Sequence, residues 1–181
     1  MNLTIQQVDE RNFGDVNRCD ETFTVDSRLV VHVENDVIRY TIVSVPPYQK
    51  HYPPEELDYP VYLHDPDKAI FCAYADGQLA GQVITRKYWN GFAYIDDVAV
   101  AADFRQQGVG RALLQHAVAW ARVRQLAGVM LETQNNNVAA CRLYESCGFQ
   151  LGGFDRYLYK GLHPDTDEIA LYWYLLFADA T

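Results

Sequence analysis

Little in this chain points to a covalent or metal-based reaction centre. It has three serines and no G-x-S-x-G turn, which excludes the usual nucleophile elbow of acyl hydrolases. Its four cysteines (Cys19, Cys72, Cys141 and Cys147) fit neither a C-x-x-C pair nor a zinc site. The five histidines form no H-x-x-x-H or H-E-x-x-H arrangement, so no metal is expected. Free thiols and a reduced, cytoplasmic setting follow from that cysteine usage. Met1-Asn2-Leu3-Thr4 carries no basic n-region or apolar h-region, so no signal peptide is expected. Apolar runs stop well short of the ~20 residues of a membrane span, so no membrane partner is expected. Positive charge is scarce too. With 15 Lys and Arg against 24 Asp and Glu, the net charge is −9, which argues against nucleic acid as a partner.

A chain of 181 residues, 49% of them hydrophobic, can bury one sizeable core, and a single domain over 1–181 is expected. The acidity is uneven. Residues 1–70 hold 13 acidic and 6 basic residues, a net of −7, and residues 71–181 hold 11 and 9, a net of −2. This is either a solvated acidic surface or an acidic half that attracts a small cationic amine substrate.

Leu3–Val8 reads as a short strand and Asp9–Glu21 as a polar stretch with irregular helical spacing. Leu29–Val33 and Val37–Val45 are β-branched runs broken at Glu34-Asn35-Asp36, a hairpin pattern. Pro46 to Asp67 holds six of the seven prolines and Tyr48, Tyr52, Tyr59 and Tyr62, which predicts a long loop with aromatic anchors. Ala69–Ala75, Leu79–Tyr88 and Phe92–Val100 predict three antiparallel strands joined at Asp76-Gly77 and Asn90-Gly91. In Gly108–Arg124, Val109, Leu113, Ala117 and Trp120-Ala121 recur at helical spacing. Val129–Thr133 reads as a buried strand and Asn137–Cys147 as a helix closed by Gly148. Phe149–Tyr159 and Glu168–Phe177 read as the last strands. Hairpins followed by helix, strand, helix, strand, strand give an α/β fold with a mixed, mostly antiparallel central sheet flanked by helices.

The stretch Arg105-Gln106-Gln107-Gly108-Val109-Gly110-Arg111 follows a strand and opens a helix. Glycines there let the backbone approach a ligand, and the N–H groups and dipole of the helix start favour phosphate. The same glycines could also serve as a plain strand-to-helix turn. Gly110 is followed by Arg111 and Ala112, not the Lys-Ser/Thr of a P-loop, and Leu113 stands where a dinucleotide fingerprint needs its third glycine.

R-x-x-G-x-G after a strand resembles motif A of the GNAT acetyltransferases, which cradles the pyrophosphate of coenzyme A. Asn137-Val138-Ala139-Ala140-Cys141-Arg142-Leu143-Tyr144-Glu145-Ser146-Cys147-Gly148-Phe149 is similar to that family's second signature, N-x-x-A-x-x-L-Y-x-x-x-G-F. The GNAT fold is therefore implied, with 1–68 as acceptor-side elements, 69–160 as the acetyl-coenzyme A core and 161–181 as the C-terminal strand. A narrower resemblance, to the streptothricin acetyltransferases of that family, covers most of the chain from residue 44. It is carried by Ser44-Val45-Pro46-Pro47-Tyr48-Gln49-Lys50, Trp89-Asn90, Leu131-Glu132-Thr133-Gln134-Asn135-Asn136-Asn137, Cys147-Gly148-Phe149-Gln150-Leu151-Gly152-Gly153 and Ala170-Leu171-Tyr172-Trp173-Tyr174. It implies transfer of acetyl from acetyl-coenzyme A to an amine of the β-lysine moiety of streptothricin, giving antibiotic resistance. Another acceptor (a protein N-terminus, a polyamine or an aminoglycoside) remains open, as does a non-catalytic acetyl-coenzyme A sensor.

The family transfers acetyl directly, so the chain needs a proton acceptor for the amine, an oxyanion contact and a proton donor for the thiolate. The resemblance assigns Tyr144 as that donor, and the backbone of Val98, Ala99 and Val100 as the oxyanion and pantetheine contacts. Residues 105–111, Asn137 and Tyr144 are its coenzyme-binding set. Asp96 and Asp97 interrupt an apolar strand, where carboxylates are rare unless paired or functional. Neighbouring strand residues point to opposite faces, so one of the two is expected to face the acceptor amine. Asp96 is the preferred base and Glu132 its competitor. Tyr48, Tyr52, Glu55, Glu56 and Asp58 could form an acceptor lid or an ordinary proline-rich surface loop. Glu168–Phe177 is apolar on both faces and predicts either a homodimer contact or a strand covered within its own subunit.

Overall fold

Where each strand turns is decided by residues that tolerate positive φ. Asn35 and Asp36 (φ 50° and 61°) turn one hairpin, and Asp76 and Gly77 (φ 49° and 83°) another. The computed structural model describes residues 1–52 and 58–178. Among the described residues, nine strands and three α-helices give the mixed, mostly antiparallel α/β architecture, in two compact units that interleave along the chain. Neither follows the 1–68, 69–160 and 161–181 division drawn on the sequence.

The first unit comprises Met1–Thr22, His51–Val129 and Phe177–Thr181. Its strands are β1 (Leu3–Gln7), β4 (Lys68–Ala75), β5 (Gln78–Lys87) and β6 (Ala93–Val100), antiparallel in that order. It also holds α1 (Tyr59–His64) and α2 (Val109–Val123). From Ala80 to Thr85 every residue of β5 is buried, so this strand is covered on both faces. On one side α2 lays down Val109, Leu113, Leu114, Ala117, Trp120 and Ala121, all buried. Gly81 permits that approach: a Cβ there would lie 2.6 Å from the Ala99 carbonyl and 3.0 Å from Leu113. On the other side Val8 and Val16 pack with Ile70, Cys72 and Ile84.

The second unit comprises Phe23–Lys50 and Met130–Leu176. β2 (Phe23–Glu34) and β3 (Val37–Lys50) form a long antiparallel ribbon. β7 (Gly128–Gln134, within this unit from Met130), β9 (Ala170–Leu176) and β8 (Gln150–Asp155) lie side by side in that order. α3 (Val138–Ser146) closes as a Schellman motif: the Gly148 N–H reaches the Glu145 carbonyl, the Phe149 N–H reaches the Tyr144 carbonyl, and Gly148 takes φ 90°.

Four expectations change. Asp9–Glu21 forms only a 3-10 turn at Phe13–Asp15. Side chains compete there for the backbone: the Asp9 N–H donates to Asn12 Oδ1 and the Arg11 N–H to Asp9 Oδ1, each at 2.8 Å. The proline-rich loop is shorter than predicted, because β3 runs on to Lys50 and α1 occupies Tyr59–His64. Pro46 and Pro47 fit a strand because the ribbon register slips there, with Val25 opposite Tyr48 but Ser27 opposite Ser44. β8 stops at Asp155, whose Oδ1 accepts from the N–H groups of Tyr157 and Leu158, so Tyr159 lies in a 3-10 turn. β9 begins at Ala170 rather than Glu168. Its double-sided apolarity is met largely within its own unit: Trp173 packs against Tyr40 and Tyr144, while Gly152 accommodates the ring of Tyr174 and Gly153 that of Tyr172. Among the described residues no helix is long and apolar enough to cross a membrane.

Candidate active site

In the first unit, the turn between β6 and α2 is shaped by backbone. Gln106 and Gly108 take φ of 59° and 88°, and Gly108 is the N-cap of α2 without any side-chain cap. Helical bonding begins with the Ala112 N–H to the Gly108 carbonyl at 3.0 Å, so the N–H groups of Val109 and Gly110 have no acceptor inside the helix. A Cβ added at Gly108 would meet nothing within 4 Å. That is the open, donor-rich helix start that a phosphate group needs, and it fits the pyrophosphate of acetyl-coenzyme A. Arg111 is exposed at the same end.

Arg105 is engaged by backbone carbonyls. Its Nε donates to the Val100 carbonyl (3.0 Å), Nη1 to that of Thr22 (2.9 Å) and Nη2 to that of Asp20 (3.0 Å). The guanidinium thus ties the end of β6 to residues 20–22. Gln107 bonds back to the Asp103 carbonyl at 2.7 Å. Within the turn, the backbone at Gly108, Val109 and Gly110 remains available for phosphate, which agrees with the glycine reading more than with side-chain charge.

The acidic pair on β6 departs from simple alternation. β5 and β6 pair Ile84 with Asp97 but Thr85 with Ile95, so Asp96 is the extra residue of a β-bulge. Both carboxylates are then held by β5 side chains of one face. Nε of Arg86 donates to Asp96 Oδ1 and Oδ2 at 2.9 and 3.1 Å. Nε2 of Gln82 donates to Asp97 Oδ2 at 2.6 Å and to Asn17 Oδ1 at 2.9 Å, while Gln82 Oε1 accepts from the Asn17 N–H. Arg86 also lies over the rings of Tyr88 and Tyr94. Asp96, the preferred base, is therefore the arginine-paired member. Gln82 and Arg86 were missed as partners, although a glutamine inside the apolar run 80–84 was a visible signal.

In the second unit, Tyr144 is buried on α3, its ring 6.1 Å from Phe149 and 6.3 Å from Trp173. Asn137 caps α3, its Oδ1 accepting from the Ala140 N–H at 3.2 Å. Glu132 on β7 accepts a hydrogen bond from the Tyr159 hydroxyl. Burial pushes its carboxyl above the usual range, and the Tyr159 bond opposes part of that rise. Asn135 joins three segments: it exchanges backbone bonds with Leu29 and Ile169, and its amide bonds to both as well. Tyr48 lies on β3, its hydroxyl accepting from Asn136 Nδ2 at 3.0 Å. Of the lid residues, Tyr52 and Asp58 flank α1 on its N-terminal side, whereas Glu55 and Glu56 lie outside the described residues.

All four cysteines are free, and burial pushes the thiols of Cys19, Cys72 and Cys141 up to about 11, 12 and 12. Among the described residues no group of three or more His, Cys, Asp or Glu side chains could hold a metal ion.

The family model described as Acetyltransferase (GNAT) family matches residues 32–149. Streptothricin acetyltransferase A of Bacillus subtilis (strain 168) is 38% identical over 174 residues, covering 96% of this chain and 99% of that protein. A Bacillus anthracis str. Ames structure assigned as a streptothricin acetyltransferase, in complex with acetyl coenzyme A, is 42% identical with a TM-score of 0.91. It spans 97% of this chain and all of its own. The crystal structure of nourseothricin acetyltransferase is 33% identical with a TM-score of 0.81, over 97% of this chain and 99% of that one.

Proposed function

Because the chain belongs to the acetyltransferase (GNAT) family, we propose that it transfers acetyl from acetyl-coenzyme A to an amine of the β-lysine moiety of streptothricin. The observation that carries this reading is similarity to streptothricin acetyltransferases over nearly the whole chain, acceptor-side ribbon included. The product would be an antibiotic that has lost one cationic amine.

Acetyl-coenzyme A supplies the acetyl group and a thiol leaving group. Gly108, Val109 and Gly110 hold its phosphates through backbone N–H groups at the α2 start, where the positive φ of residue 108 suits glycine. Backbone groups of Val98, Ala99 and Val100 serve the oxyanion and the pantetheine arm. Tyr144 donates the proton that the thiolate needs; its ring is fixed by Phe149 and Trp173, so its hydroxyl acts from a set position.

Two carboxylates compete as the base. Asp96 is bound by both oxygens to Arg86, and accepting a proton would break that pair. Glu132 has a carboxyl raised by burial, closer to the working pH of a base, and a tyrosine to orient it. These observations favour Glu132 over Asp96, with Asp96–Arg86 and Asp97–Gln82 holding β6 in shape. A second copy of the chain, suggested by the last strand, is not required by this chemistry.

Thiol release from acetyl-coenzyme A, measured with and without streptothricin and followed by the mass of the product, tests the assignment. Release only with streptothricin, and a product heavier by one acetyl group, are the expected results.

A further inference from the structure

In the second unit a chain of hydrogen bonds takes its direction from a charged end. Lys50 on β3 pairs with Glu168, and both side chains are largely covered, at 14% and 20% exposed. The paired carboxylate can only accept, so Asn136 must turn its amide nitrogen towards it. Nδ2 of Asn136 donates to Glu168 Oε1 at 2.7 Å, and the same Nδ2 donates to the Tyr48 hydroxyl at 3.0 Å. The phenol oxygen is therefore the acceptor in that bond, and its proton points away from Asn136. Among the described residues no group accepts this proton. Tyr48 is 46% exposed, and it lines a cavity of about 340 Å³ together with Arg28, Asn136, Asp167 and Glu168. One donor on an exposed side chain of this cavity is thus unspent.

What such a donor can hold is narrow. An ammonium group has no lone pair to offer it. The carboxylates of Asp167 and Glu168 in the same lining disfavour an anion, because their counter-charges, Arg28 and Lys50, are already engaged. An uncharged oxygen (carbonyl, hydroxyl or ether) fits. We propose that Tyr48 is a specificity-determining residue that donates its hydroxyl proton to an uncharged oxygen of the acceptor, and that Asn136 is a positioning residue acting through it. Lys50 and Glu168 fix the polarity of the chain, because a neutral residue at 168 would let the amide turn round. The inference rests on the acetyltransferase reading above and adds to it the class of group recognised besides the reacting amine. An acceptor that carries an amine and a neutral oxygen is favoured over a bare polyamine.

The test compares lysinamide with 1,5-diaminopentane, two diamines of which only the first carries an oxygen. Their ratio is read as kcat/KM where both are acetylated and as competitive Ki against streptothricin where they are not. Lysinamide should lead in the unmodified enzyme. Tyr48→Phe keeps the ring and removes only the hydroxyl, and it should lower that lead by about three- to tenfold, the range of one neutral hydrogen bond. Asn136→Ala should lower the lead as well, but should add nothing to Tyr48→Phe if it acts through the hydroxyl. Should Asn136→Ala fold poorly, Glu168→Gln keeps the side-chain volume while freeing the amide to turn, and should lower the lead by less. A purely structural role would weaken both probes alike and leave the ratio where it was. A lead that is absent from the unmodified enzyme, or that survives Tyr48→Phe, would overturn the contact while streptothricin is still acetylated. Independent, additive losses from Tyr48→Phe and Asn136→Ala would overturn the positioning role. Failure to acetylate streptothricin or either probe would overturn the activity itself and the contact with it.

Discussion

Nε2 of Gln82 lies 2.6 Å from Oδ2 of Asp97, and the glutamine making this bond has no exposed surface. Its amide is used fully, joining the β6 carboxylate to Asn17 through both the side chain and the N–H of that residue. Gln82→Leu would leave Asp97 and Asn17 facing an apolar group. Lost hydrogen bonds of this kind cost about 0.5–1.5 kcal/mol each, and more where the acceptor is charged, so the urea midpoint should fall. Gln82→Glu should be worse at neutral pH, where two carboxylates would meet, and should recover part of its stability in mild acid.

The α2 start should be sensitive to bulk rather than to charge. Gly108 has φ 88°, so Gly108→Val introduces backbone strain and places a side chain in the open space at the helix start. Calorimetry should show acetyl-coenzyme A binding weakened by tenfold or more in Gly108→Val, and only mildly in Arg111→Ala.

Tyr144→Phe keeps the ring between Phe149 and Trp173 and removes only the hydroxyl. The melting temperature and both KM values should change little, while kcat should fall by about 10²–10⁴ as expected for loss of a general acid. An unchanged kcat in a folded variant would assign the proton donor elsewhere.

If Glu132 is the base, it works only when ionised, so kcat/KM should rise with pH through its raised pKa. The Tyr159 bond lowers that pKa by stabilising the carboxylate. Tyr159→Phe should therefore move the acid limb to higher pH, and Glu132→Gln should remove it. A limb that responds to Asp96→Asn instead would make Asp96 the base.

Much of the fold was legible because short-range chemistry controls it. Asp76-Gly77 and Asn90-Gly91 marked turns, and Val109, Leu113, Ala117 and Trp120 marked the buried face of α2. The second signature also placed Gly148 correctly as the close of α3. What escaped was set by pairing between distant segments. The bulge at Asp96 has no glycine or proline to announce it, so alternation wrongly separated two carboxylates that β5 holds from one face. Arg105, which its motif put in the coenzyme-binding set, donates to the carbonyls of Val100, Asp20 and Thr22, a link between distant segments that the motif does not announce. The strand through Pro46-Pro47 depended on a register slip against β2 that composition cannot reveal.

The most direct measurement of the central claim is an acceptor panel read by thiol release: streptothricin, spermidine, lysine, an aminoglycoside and an alanine-starting peptide, each with acetyl-coenzyme A. Streptothricin should lead in kcat/KM by tenfold or more, about 1.4 kcal/mol of transition-state discrimination. A lead of the same size for the peptide or the aminoglycoside would leave the family intact and contradict the acceptor.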